Sequence, residues 1–345
     1  MRGARAPRTQ RTRSVERSAP LFAVALLLAA CGSPSVGGSS SGATAIPSAA
    51  GTAASTPLDG GTASSTTDQS IGLPRTTLDL TALPLGNQKF STSAPAAGSV
   101  YLCHSMQGGP PVHAKPWVNT SAGTWNLKAK VAVAGDVIHN AQFSATQSGT
   151  SEVLTGNGLP PRSGVFPVAS TDPADAYDPD PNSVATDAIN VTLPYDPVAA
   201  ATPTCIGGVV GVMSDGISMF NAFDAGGNDA GAMEVQDTCH GHPNQTGYHY
   251  HALSPCMLSG SALTTTTQVG WAFDGYGMYV EYASSGNLLT NASLDACHGR
   301  TSVVPWHGEL VSMYHYDLTI EFPYSVACYH GTPISTAASG GLTGP

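Results

Sequence analysis

The sequence predicts a mainly β domain with irregular loops and short helices, built on a duplicated unit with a pseudo-two-fold arrangement and stapled by disulfides. Three observations carry this expectation. Gly (39) and Pro (26) approach a fifth of the 345 residues while charged residues make up 10%, a composition that does not sustain long helices or coiled coils. Apolar residues alternate in short runs bounded by turn residues, the period of strands rather than helices. Four motifs recur in the same order later in the chain, which points to an internal repeat.

Residues 1–30 read as a targeting segment and stand outside the fold. Arg2, Arg5, Arg8, Arg11, Arg13 and Arg17 make a basic start, and residues 21–30 form an apolar run too short to cross a bilayer. Leu28-Ala29-Ala30-Cys31-Gly32 resembles a bacterial lipobox. That resemblance implies cleavage before Cys31, acylation of its thiol by a chain such as palmitate, and attachment to the membrane of the cell envelope through the N-terminal lipid. An ordinary secreted protein cut nearby is the alternative. No later segment reaches the roughly 18 apolar residues of a spanning helix. Residues 31–95 read as the lipidated Cys and a flexible Ser/Gly/Thr/Ala-rich tether, since they offer little apolar surface to offset ordering entropy. Within it, Leu73, Leu78, Leu80 and Leu83 are placed to dock on the domain that follows. Beyond residue 30 the chain has seven basic residues against 22 acidic ones, which argues against a nucleic-acid partner.

The folded domain is expected over residues 96–335, followed by a tail at 336–345. Residues 124–133 and 137–143 alternate on either side of Ala134-Gly135-Asp136, a hairpin signal. Further strands are expected at 189–193, 206–212, 268–273, 277–282 and 310–320. Residues 159–186, dense in Pro and Asp, read as a long loop. Only residues 292–297 invite a helix, with Asn291 as its cap.

The repeat spans units at about 206–258 and 268–330. Residues 211–220, with Asp215-Gly216 and Met219-Phe220, match residues 270–279, with Asp274-Gly275 and Met278-Tyr279. Asp237-Thr238-Cys239-His240-Gly241 matches Asp295-Ala296-Cys297-His298-Gly299, and Tyr248-His249-Tyr250 matches Tyr314-His315-Tyr316. Cys256 and Cys328 close the two units. Setting Cys31 aside leaves six cysteines, which suit an oxidising compartment and allow fifteen pairings. Equivalence between the units suggests Cys239–Cys256 and Cys297–Cys328, leaving Cys103–Cys205.

Between Arg162 and Arg300 there is no Lys or Arg, yet there are 14 acidic residues and five His. A solvated acidic surface explains this, and so does attraction of divalent cations. On a strand, His249 and His251 project from one face while Tyr248 and Tyr250 project from the other. Two imidazoles at that spacing reach one ion, and His240 or His242 would complete a nitrogen set suited to Zn or Cu. Asp215, Asp237 or Asp274 would orient an imidazole from behind. The competing reading is a buried hydrogen-bond network with no metal. Where the first unit has His242 and His251, the second has Arg300 and Asp317, so an Arg300–Asp317 salt bridge is expected there and any metal belongs to the first unit. Trp117, Trp125, Trp271 and Trp306 would stack on sugars in a groove or, more commonly, fill the core. No H-E-x-x-H, G-x-S-x-G, phosphate-binding glycine loop or C-x-x-C is present.

These residues resemble the YHYH-domain family of exported bacterial proteins. The resemblance includes Asn157-Gly158-Leu159-Pro160, Asp175-Ala176-Tyr177-Asp178 with Pro181-Asn182-Ser183, Asn221-Ala222-Phe223-Asp224, Gly247-Tyr248-His249-Tyr250-His251, Trp271-Ala272-Phe273-Asp274-Gly275 and Phe322-Pro323-Tyr324. It covers roughly residues 100–334 and implies export without implying an activity. Tyr314-His315-Tyr316-Asp317 departs at its fourth letter, which again puts a His-based site in the first unit. The expectation is a lipid-anchored envelope protein that binds Cu or Zn through its histidines. The alternatives are a metal-dependent hydrolase using Asp215, Asp237 or Asp274 as general base, and a metal-free module for glycans or a protein partner.

Overall fold

The computed structural model describes residues 67–68, 72–106 and 114–334. The targeting segment, Cys31, most of the tether and the tail lie outside these residues. Within them the fold is mainly β, its helices are single turns, and three disulfides join Cys103 to Cys205, Cys239 to Cys256 and Cys297 to Cys328. Among the described residues no helix is long and apolar enough to cross a membrane.

An eight-stranded sheet forms the centre. In chain order its strands are β1 (Val209–Met213), β2 (Ser218–Phe220), β3 (Gly241–Pro243), β4 (Tyr248–Tyr250), β5 (Thr267–Ala272), β6 (Gly277–Val280), β7 (Gly299–Trp306) and β8 (Glu309–Asp317). Across the sheet they run β3-β4-β2-β1-β5-β6-β8-β7. β1 and β5 meet antiparallel at the centre, with Val212 opposite Trp271. β4 lies parallel to β2, and β8 parallel to β6. The four strands on each side of the β1–β5 seam therefore follow one order and one set of directions. β1, β3, β4 and β6 are buried along their whole length, so they are covered on both faces and read as apolar or aromatic runs. The seam needs glycine: a Cβ at Gly211 would come within 2.3 Å of the Trp271 carbonyl oxygen, and one at Gly270 within 2.9 Å of Met213 Sδ.

The hairpin expected over residues 124–143 does not form. Asn126 accepts from the Ala129 amide and starts a 3-10 turn at Leu127–Ala129. Ala132–Val133 then pairs in parallel with Gln236–Asp237, and Val137–Ile138 pairs with Arg162–Ser163. Each half finds a distant partner, and tertiary pairing overrides local alternation. The helix expected at 292–297 is only the 3-10 turn Asn291–Ser293, because Asn291 Nδ2 donates to Phe322 O and its Oδ1 accepts from the Thr319 hydroxyl instead of capping.

The described end of the tether is ordered. Leu73, Leu80, Leu83 and Leu85 are buried in the core, and Leu78 packs against it. Leu83–Pro84 pairs with Thr124–Trp125, and Phe90–Ser91 with Val100–Tyr101. Residues 72–95 are thus part of the packed body, and a flexible tether ending at 95 overshoots, because these leucines supply the apolar surface the upstream Ser/Gly stretch lacks. Asn87 and Gly86 from this segment bond Asp229, the cap of the one-turn helix α1 (Ala230–Met233), and that turn delivers Glu234 to the site.

Candidate metal centre

β3 and β4 form a tight hairpin whose turn is closed by Asn244. Its side-chain oxygen accepts from the Thr246 amide, the Thr246 hydroxyl and the Gly247 amide. That turn sets the register, and His242 stands directly opposite His249. His251 follows two residues on, so the strand period puts it beside His249. The three rings have centroids 4.5, 4.9 and 5.6 Å apart, and all three residues are buried. Phe220 of β2 covers His249 at 4.2 Å and His251 at 5.8 Å. The tyrosines point the other way, Tyr248 to Asp237 and Tyr250 to Asp215.

Hydrogen bonding sets the tautomers. His249 Nδ1 lies 3.3 Å from Gly247 O, and His251 Nδ1 lies 2.6 Å from Asn221 O. Carbonyl oxygens only accept, so both Nδ1 atoms carry the proton and both Nε2 atoms present lone pairs. Those two Nε2 atoms are 3.1 Å apart. Glu234 Oε2 lies 3.2 Å from His251 Nε2 and 3.2 Å from His242 Nε2. Donors about 2.0–2.1 Å from a tetrahedral ion stand roughly 3.3 Å from one another, and these separations match. Behind the cluster, Asp180 holds Asn182 with Oδ1 and faces His242 Nδ1 at 3.8 Å with Oδ2. His242 Nε2, Glu234 Oε2 and Asp180 Oδ2 are buried without a hydrogen-bond partner, a costly arrangement that a cation among them would relieve.

At His249, His251 and Glu234 the electrostatics favour a ligating state, while at His242 a metal must displace a proton. Burial, and then the neighbouring His242, hold His249 well below the usual imidazole range, and burial lowers His251 as well. Burial opposes ionisation of Glu234, but His242 and His251 outweigh it and keep its carboxyl well below the ordinary range. For His242 the Glu234 carboxylate overcomes burial and raises the imidazole. Neutral His249 and His251 beside an ionised Glu234 are the forms that bind metal.

A family model described as YHYH protein matches residues 190–291. This segment is a YHYH domain. No curated protein and no solved structure matches the chain. The YHYH segment contains the whole first cluster, including Glu234, which sequence reasoning missed along with Asp180. The signal for Asp180 was present, since it lies in the Asp-Pro stretch beside Asn182. Glu234 had none, because its place depends on α1 and the packing of residues 86–87.

Other expected site residues lie elsewhere. His240 is not among the ligand donors: it sits in the left-handed region (φ 58°), its Nδ1 faces Leu253 O, and burial brings its pKa down to about 4. It follows Asp237, whose Oδ1 accepts from the Cys239 and Gly241 amides and the Tyr248 hydroxyl. Gly241 is required there, since a Cβ would meet the Tyr248 hydroxyl at 2.4 Å. Asp215 accepts from Tyr250 and the Ile217 amide, and Asp274 from Tyr316 and the Gly331 amide. None of Asp215, Asp237 and Asp274 orients an imidazole; the Gly247 and Asn221 carbonyls and Asp180 take that role. Arg300 pairs with Glu281 at 3.8 Å rather than with Asp317, which lies 3.6 Å from His315. The register is that of the first unit, Arg300 opposite His315 as His242 is opposite His249, and it is Glu281, held also by His315 at 3.0 Å, that draws the guanidinium. Glu281, His315 and Asp317 make a second buried group with metal-ligand spacing.

Proposed function

We propose that the YHYH segment binds one Zn or Cu ion through His242, His249, His251 and Glu234, and that it does so outside the cytoplasm, anchored to the cell envelope by an acylated Cys31. The observation that carries the metal reading is the convergence of lone pairs: His249 and His251 Nε2 at 3.1 Å, with Glu234 Oε2 3.2 Å from His251. The three imidazoles are buried and Phe220 covers two of them, which favours holding or transferring the metal over hydrolysis, where an open coordination position must face the substrate. Burial of Trp117, Trp125 and Trp306 weighs against a sugar-stacking groove.

The reading includes descent of the two half-sheets from one unit about a pseudo-two-fold axis. Support comes from the matching strand order, from Asp237 and Asp295 each binding the second and fourth amides after it, and from the symmetric seam around Val212 and Trp271. In the second unit Arg300 supplies a fixed cation beside Glu281, where the first unit has histidines around Glu234. A metal is therefore assigned to the first unit alone.

Elemental analysis of purified protein tests this. About one equivalent of Zn or Cu is expected in the parent after reconstitution, less than a tenth of that in a His249→Ala, His251→Ala double variant, and full occupancy in His240→Ala. A parent that stays empty after reconstitution with both metals refutes the reading.

A further inference from the structure

A cavity of about 520 Å³ lies beside the Asp237–His240 turn, lined by Lys128, Lys130, Arg162 and Gln236, with Leu127 and Leu258 in its apolar wall. Beyond residue 30 the chain has only seven basic residues against 22 acidic ones, and three of the seven meet here. The single acidic residue in the lining is Asp237. Its oxygens already accept from the Gly164, Cys239 and Gly241 amides and from the Tyr248 hydroxyl, so its charge is solvated by the fold.

The donors are built in rather than incidental. Lys130 Nζ donates to Gly231 O at 2.6 Å and to Gln236 Oε1 at 2.8 Å, which fixes the ammonium in place. Gln236 is 3% exposed. With its oxygen engaged by Lys130, its amide Nε2 has no hydrogen-bond partner, and a buried donor left unmade is costly. Arg162 holds Asp136 at 3.2 Å with both side chains exposed, a weak pair that exchanges readily. Mixed apolar and cationic walls around a volume of this size suit a small organic ligand.

We propose that this cavity binds a small organic anion, a carboxylate or phosphate borne on an apolar body, with the acid group received by Lys130 and Gln236 Nε2 and steered by Lys128 and Arg162. The cavity lining includes none of His242, His249, His251 and Glu234, and the proposal does not require that cluster to hold metal.

Calorimetric titration of the purified protein with benzoate, phenyl phosphate and neutral benzamide tests the proposal. At least one anion is expected to bind one-to-one, ten times or more tighter than benzamide; which anion is tighter tells carboxylate from phosphate. The Lys130 ammonium lies 6.0 Å from the centroid of the Trp125 ring, so binding should also change tryptophan fluorescence. Lys128 and Arg162 are exposed, so a Lys128→Gln, Arg162→Gln variant should fold as the parent does and bind the anion about tenfold more weakly. The His249→Ala, His251→Ala variant should bind it unchanged. Failure of both anions to bind, benzamide binding as tightly as they do, or an unaltered affinity in the Lys128→Gln, Arg162→Gln variant would each overturn the assignment.

Discussion

Asp274 shows how a residue in a suggestive motif becomes structural. It is 1% exposed, and its carboxylate accepts from Tyr316 and the Gly331 amide. Burial pushes its pKa up to about 6 from 3.8, against the pull of those hydrogen bonds. A raised carboxyl pKa means the folded state holds the proton more tightly than the unfolded chain. The associated stability is fully present below pH 3.8 and is lost as pH rises through 6. Asp274→Asn removes that titration, so relative to the parent the variant should gain up to about 3 kcal/mol between pH 4 and pH 8. Urea unfolding of metal-free protein at the two pH values checks this, and a difference that does not change with pH would contradict it. At this scale the alternation of Tyr and His was legible in the sequence, since strand period alone separates them. Whether each tyrosine found an aspartate, and each imidazole a carbonyl, was not, because those partners come from other strands.

At the scale of elements, β3–β4 and β7–β8 present comparable hairpins with different chemistry. In the first, His242, His251 and Glu234 surround space suited to a divalent ion. In the second, Arg300 and His315 both pair with Glu281, while both oxygens of Asp317 lack a hydrogen-bond partner. Arg300→His together with Asp317→His should rebuild the three-histidine set around His315 and Glu281. The expected result is a second equivalent of Zn or Cu per chain; no gain in a folded variant would argue against equivalence of the hairpins. Strands with strong alternation or unbroken apolar runs, such as Thr267–Ala272 and Glu309–Asp317, were readable from sequence. The segments at 124–143 were not, because their partners lie about 25 to 100 residues away and no local pattern encodes such a partner.

For the whole molecule, the disulfides and the 72–95 segment bind the periphery to the sheet. Cys103–Cys205 closes a separation of 102 residues, the longest of the three and so the one that most restricts the unfolded chain. Replacing both cysteines with serine should lower unfolding free energy by about 2–4 kcal/mol while leaving metal content unchanged, because neither residue contacts the histidine cluster. Parallel denaturation and elemental analysis check both halves of that statement. Composition, motif recurrence and cysteine count by themselves determined the β class, the cysteine pairing suggested by the repeat, and the face of the strand on which His249 and His251 lie. These are local or counting properties, carried by period and stoichiometry. Only the tertiary structure decided that Glu234 joins the cluster with Asp180 behind it, that His240 leaves it, and that Arg300 turns to Glu281. Each of those outcomes depends on where distant segments pack, and burial, not sequence spacing, selects which charges meet.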